Sequence, residues 1–146
     1  MREIRFRAWH QVEKKMHWVR AIHFDGYVNL DGDEEFSTFQ VPFDQVELLQ
    51  FTGLLDKNGK EMWEGDIMTR EGEDWKDLVI FKDGAFLLSD GGGVCEDFIG
   101  AGDFGFEVIG NCFENPELLE TYNKNKKERE DWERYIHGTS CWRRLV

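Results

Sequence analysis

The chain has 146 residues, of which 40% are hydrophobic, and twelve Phe, six Trp and three Tyr supply much of the apolar surface. That is enough for one domain with its own core and short for two, because aromatic side chains each bury a large area. Thirty Asp and Glu against eighteen Lys and Arg give a net charge of −12, which argues against the whole molecule binding polyphosphates or a membrane surface.

The charge is uneven along the chain. Residues 1–20 carry a net +4, residues 117–146 a net +1, and residues 21–116 hold the remaining −17. A basic start beside an acidic body either promotes head-to-tail self-association or neutralises itself within one molecule. Three cysteines, Cys95, Cys112 and Cys141, with no CxxC spacing, point to reduced thiols. The charged opening MREIRFRAWH has no apolar h-region, so the expected compartment is the cytoplasm. No apolar run approaches the ~20 residues that span a bilayer. No repeat of 20–50 residues is visible.

In chain order, residues 2–9 alternate Ile4 and Phe6 with Arg5 and Arg7, the period of a half-buried strand. The stretch 16–24 places Met16, Trp18, Ile22 and Phe24 on one face, with Arg20 interrupting, and completes a hairpin. That alternation puts His17 and His23 on the opposite, exposed face. Residues 25–36 are acidic and turn-rich and read as a loop with at most a short strand. Periodicity leaves 43–51 open between a helical turn and a strand. Asp56-Lys57-Asn58-Gly59 signals a tight turn. Apolar residues then surround Glu64-Gly65-Asp66. A further hairpin flanks Lys82-Asp83-Gly84, with apolar runs continuous enough for both faces to be covered. Residues 89–105 hold six glycines and read as a loop, and 106–113 as a last strand. Many short strands at these intervals predict a small barrel or roll.

From Asn115-Pro116-Glu117 the pattern turns helical, with an N-cap residue, a proline at the first position and an early acid. Leu118, Tyr122, Trp132 and Ile136 share a stripe that Gly138 ends, while Asn125 and Arg129 make its middle polar. Such a helix docks at its ends, and serves either as an oligomer element or as a solvated lid.

Sites of chemistry are sparse. His137 and Cys141 could share a helix face, but a structural zinc site needs four ligands. Asn29, Asp31 and Asp33 imitate a calcium loop, yet Glu34 stands where glycine belongs, so an acidic surface loop is the better reading. Cys95 follows a glycine-rich run, and Cys112 reads as core. A Cys–His enzyme is the weaker reading, since a few Cys and His occur in most chains. Gly91-Gly92-Gly93 is flanked by Asp90, Glu96 and Asp97, which would repel a phosphate. One basic-aromatic surface is plausible for single-stranded nucleic acid: Arg5, Phe6, Arg7, Trp9 and Trp18, with Arg20. Its alternative has the aromatics facing inward and the arginines paired with the acidic body, which the charge of that body favours.

QFTGLLDKNGKEMWEGDIM, residues 50–68, resembles the central signature of the YopX family, small proteins carried mainly by bacteriophages and prophages. The opening MREIRFRAW, the following KKMHWV and the segment EVIGNCFENPELL at 107–119 are similar to other parts of the family pattern, in the same order. Cys112 and Met68 stand where branched aliphatics are expected. The tail after about residue 123 and the detail of the glycine-rich loop lie outside the pattern. The resemblance implies an SH3-like β-barrel or roll, a biochemical function that is not established, and no catalytic residues to carry over.

The combined expectation is a mainly β fold, an SH3-like barrel or roll core with an N-terminal β-hairpin and a C-terminal α-helix. Residues 1–122 form one β domain, and 123–146 a charged helix and tail packed on it or extending from it. Gly53, Asp56, Asn58, Gly59, Glu64, Gly65, Asp66, Gly110, Asn111, Asn115 and Pro116 are read as architecture. The expected function is that of a non-enzymatic phage or prophage protein in the bacterial cytoplasm that works by binding, as a homo-oligomer, without cofactor or metal. Two alternatives are a nucleic-acid surface on the first hairpin and an acidic nucleic-acid mimic that occupies a basic host protein. An enzyme built on the acids of Glu64-Gly65-Asp66 ranks last.

Overall fold

The computed structural model describes residues 1–70, 72–97 and 105–138, with 94–97 and 135–138 as backbone only. The chain divides into two compact units, Met1–Leu55 with Glu61–Glu64, and Asp56–Lys60 with Gly65–Val146.

The first unit is a six-stranded antiparallel sheet. Its strands are β1 (Phe6–His10), β2 (Lys15–His23), β3 (Tyr27–Asp31), β4 (Thr38–Pro42), β5 (Val46–Leu55) and β6 (Glu61–Trp63). Their order is β4-β3-β2-β1-β5-β6, so four strands form a meander and the fifth returns beside the first. A single 3-10 turn, Phe43–Gln45, leads into β5 and resolves the ambiguity of 43–51 as turn then strand. One face carries the aliphatic core of Ala8, Val28, Leu30, Val41 and Val46, with Val19, Ile22, Phe39 and Leu48 packed against it. Fully burying a Val or Leu contributes about 1.5–3 kcal/mol, so this cluster is the main support of the sheet.

The acidic segment read as a loop with at most a short strand does contain one, β3, whose Val28 and Leu30 alternate inward and are fully buried. Its many turn residues are confined to the flanks. The face assigned to Met16, Trp18, Ile22 and Phe24 is split. The β2–β3 register slips between Val19 and Ala21, an extra residue at Arg20 that shifts the inward phase from odd to even positions. His17 is therefore 7% exposed and Trp18 51% exposed, while Ile22 still packs on the core; Phe24, past the end of β2 in the following turn, stands out in solvent.

The second unit holds a five-stranded antiparallel sheet, β7 (Asp66–Arg70), β8 (Asp77–Lys82), β9 (Ala85–Ser89), β10 (Val94–Asp97) and β11 (Phe106–Asn111). Its order is β10-β9-β8-β7-β11, again a four-stranded meander with the fifth strand beside the first. The β8–β9 hairpin turns on Asp83 and Gly84, both at positive φ as a tight two-residue turn requires. Ile67, Met68, Val79, Leu88, Phe106 and Val108 are buried in this unit. Part of the segment read as a glycine-rich loop is strand β10, while residues 98–104 lie outside the described residues, as do Cys141 and the side chains of Cys95 and His137.

Neither strand order returns to its starting strand, so both sheets are open and no barrel closes among the described residues. The fold is thus mainly β, two antiparallel sheets with one C-terminal helix.

After β11, a 3-10 turn at Pro116–Leu119 precedes helix α1 (Glu120–Gly138). Asn115 is not a side-chain cap. Its Oδ1 accepts the Asn111 N–H at 3.2 Å instead, which leaves the first turn tight rather than α-helical. The helix rests on the sheet side by its first turns: Tyr122, Asn125 and Arg129 are half-buried and Asn125 Nδ2 donates to the Asp90 carbonyl at 3.0 Å. Trp132 is 61% exposed, and the side chain of Ile136, the last residue of the stripe, lies outside the described residues. No helix among the described residues is long and apolar enough to cross a membrane.

Candidate interaction surface

The signature segment first. Asp56 is buried and closes the turn between β5 and β6. Its Oδ1 accepts the N–H groups of Asn58 at 2.8 Å and Lys60 at 2.9 Å, and its Oδ2 accepts the N–H of Val108 at 3.0 Å. Lys57 N–H donates to the Phe106 carbonyl at 2.9 Å, so the turn covers the free edge of β11 with backbone partners. Burial alone would raise the Asp56 pKa, but the three backbone donors outweigh it and hold the carboxyl below its ordinary value. Gly59 sits at φ +79°, the left-handed conformation the turn requires.

Gly65, at φ +85°, donates its N–H to the Val79 carbonyl and accepts the Cys112 N–H, both at 2.9 Å. Asp66 is buried at the start of β7, opposite Asn111. Asn111 Oδ1 accepts from Phe113 at 3.1 Å and Glu114 at 2.9 Å, which turns the chain after the last strand. Gly110 lies where the β11–β7 register shifts, and a Cβ there would come within 2.4 Å of Asn115 Oδ1. Gly53, at φ +84°, marks the corresponding shift between β5 and β6. Pro116 opens the 3-10 turn. The hydrogen bonds of these residues go mostly to backbone groups of the fold, with Asn58 Nδ2 also donating to Glu107 Oε1 at 3.4 Å, and no group of three or more His, Cys, Asp or Glu among the described residues could hold a metal.

Glu64 is the exception in this motif. It is half-buried, and the partner given for its carboxylate is the Gln50 N–H at 3.3 Å. Burial, with Glu47 adding repulsion, raises its pKa above the ordinary value. A raised folded-state value means the carboxylate costs stability at neutral pH, and the cost disappears as pH falls through that value. Glu64→Gln is therefore expected to raise Tm by about 2–4 °C at pH 7, with the gain fading towards pH 4, as calorimetry at the two pH values would read.

The basic-aromatic residues of the first unit are only partly assembled. Trp9 is buried, at 9% exposure. Arg5 reaches Glu3 through Nε at 2.6 Å and forms a forked pair with Glu61, while its guanidinium lies 4.4 Å above the Phe51 ring. Arg7 lies 5.3 Å from the centre of the Trp63 ring, and Trp18 packs on the same ring at 5.4 Å. Arg20 pairs with Asp31, and Lys15 with Asp33 at 2.7 Å. The arginines therefore serve a stack of Trp18, Trp63 and Phe51, with their charge met inside the unit. What stays open is a hollow of about 310 Å³ lined by Arg5, Phe6, Trp18, Val19 and Arg20.

Several features were not legible in the sequence. His10 and His17 are both buried, with ring centres 6.1 Å apart and Phe39 against each. His10 Nδ1 accepts the Val12 and Glu13 N–H groups at 3.3 and 3.2 Å, so its proton sits on Nε2 and the ring shapes the β1–β2 turn. His17 reaches Glu13 at 2.8 Å and the Asp31 carbonyl at 3.1 Å. Exposed aromatics are the second surprise: Phe24 is 98% and Phe36 93% exposed. Phe36 also has φ +63°, which is unusual for a residue with a bulky side chain. The only sequence hint was an aromatic placed at the end of an acidic turn.

The architecture is mainly β, two open antiparallel sheets with one C-terminal helix, and its signature residues hold the backbone together. The model of the family described as YopX protein matches residues 5–120, and the chain belongs to this family. Among solved structures it is similar to protein EF1440 from Enterococcus faecalis, at 27% identity and a TM-score of 0.60 over 82% of this chain and 100% of that one. It is also similar in fold to YopX from Bacillus subtilis, at 21% identity and a TM-score of 0.55, covering 82% of this chain and 98% of that one. Among curated proteins none matches.

Proposed function

We propose that this chain is a non-enzymatic binding protein of phage or prophage origin that acts in the bacterial cytoplasm as a homo-oligomer. The observation that carries the reading is the first unit's display of large aromatics to water, with Phe24 and Phe36 almost fully exposed and Trp18 half-exposed. A small unit gains nothing in isolation from apolar groups placed this way, whereas an interface does. The buried signature acid Asp56 supports the same reading from the other side, since its carboxylate is engaged by three backbone donors of the fold. The strand order of each unit, a meander with its fifth strand returning beside the first, supports an SH3-like description of both sheets. Light scattering across a hundredfold concentration range is the test. Mass should exceed that of one chain and rise with concentration, and a strict monomer at the highest concentration would overturn the proposal.

A further inference from the structure

Phe36 and the open hollow of the first unit are complementary in size and in apolar character. Phe36 ends an acidic loop, Asp33-Glu34-Glu35-Phe36, and this loop is ordered before any partner arrives. Gly32 N–H donates to the Ser37 carbonyl at 2.9 Å and Ser37 N–H to the Glu34 carbonyl at 3.0 Å. Ser37 Oγ donates to the Glu34 carbonyl at 2.8 Å and accepts its N–H at 3.1 Å. The chain thus holds a Phe at φ +63° and leaves it 93% exposed, an arrangement that costs backbone strain and yields no packing within the unit. The hollow offers what is missing: Phe6, Trp18 and Val19 to pack on an aromatic ring, with the guanidinium groups of Arg5 and Arg20 beside them. At about 310 Å³ it falls at the small end of ligand pockets, roughly 300–1,000 Å³, the scale of one large side chain.

We propose that Phe36 of one copy seats in the hollow lined by Arg5, Phe6, Trp18, Val19 and Arg20 of a second copy. Knob and hollow are different patches of the same unit. The contact is therefore made twice about a two-fold axis, or repeats head to tail. The inference rests on the self-association proposed above and names its surface.

The test compares wild type, Phe36→Gly and Trp18→Ala by light scattering and thermal melting. Phe36→Gly removes both the knob and the positive-φ strain. It should fold with an unchanged or higher Tm while its association weakens at least tenfold. Trp18→Ala should weaken association similarly, and Arg20→Glu replaces it if the loss of Trp18 unfolds the stack on Trp63. Mixing the knob variant with a hollow variant should restore a complex, because one supplies an intact hollow and the other an intact knob. If wild type associates and Phe36→Gly associates equally well, this inference fails and the self-association reading stands. If wild type is a monomer throughout, both fail.

Discussion

Replacing Asp56 by Ala should destabilise the protein by about 3 kcal/mol, lowering Tm by roughly 6–12 °C. One carboxylate satisfies three backbone N–H groups, two within its own turn and one on β11, fifty-two residues further along the chain. Removing it strands buried donors, each costing about 1–3 kcal/mol when left without a partner, although water reaches part of the turn and softens the sum. Asp56→Asn keeps one acceptor oxygen but aims an NH₂ at an N–H, so about half the loss should remain. The pH dependence follows from the depressed folded-state value. Its contribution is fully present above the unfolded-state value of about 3.9 and is lost as pH falls through the folded value. Urea melts at about pH 5.5 and about pH 2.5, on either side of that window, should show the wild type losing stability on acidification more steeply than Asp56→Asn. Equal slopes would mean the carboxylate does not hold the turn as described.

Gly91→Ala should undock helix α1. A Cβ at this position would lie 2.1 Å from the Tyr122 carbonyl oxygen and 2.9 Å from its carbon, and Gly91 also sits at φ +88°. Both obstacles are backbone, so no side-chain rotation relieves them, and a cost of about 2–4 kcal/mol is expected. The helix must then rise from the Asp90–Gly92 turn and give up the Asn125 hydrogen bond. Trypsin should cut at Lys124, Lys126 and Lys127 many times faster than in wild type, while the sheets persist. Gly93→Ala is the control, since nothing lies within 4 Å of its added Cβ and its φ is ordinary. It should change stability by less than about 0.5 kcal/mol.

These two residues differ in how visible they were. Asp56 announced itself through Asp-Lys-Asn-Gly, because a local turn is written in consecutive residues. Its bond to Val108 was invisible, as it joins distant segments. Gly91 lay in a run of three glycines that read as a flexible loop. Only the crossing of α1 over it shows that one of the three has no room for a side chain.

The same division runs through the fold. Alternating apolar residues, turn chemistry and the Asn-Pro helix start let the sequence by itself establish strands, hairpins, a C-terminal helix and membership of a family, since each is a pattern within a few neighbouring positions. A single extra residue at Arg20 then switched the inward phase along β2, burying His17 and exposing Trp18 while Ile22 stayed inward, because register is set by the partner strand. That both sheets share one strand order, without any visible sequence repeat, was likewise decided by tertiary pairing. So was the fate of the arginines. Their spacing with aromatics suggested a groove for an anion, but Glu3, Glu61 and Asp31 come to them from other positions and meet their charge. Local pattern determined the elements, and contacts between residues far apart in the chain decided which side chains were left facing outward to bind.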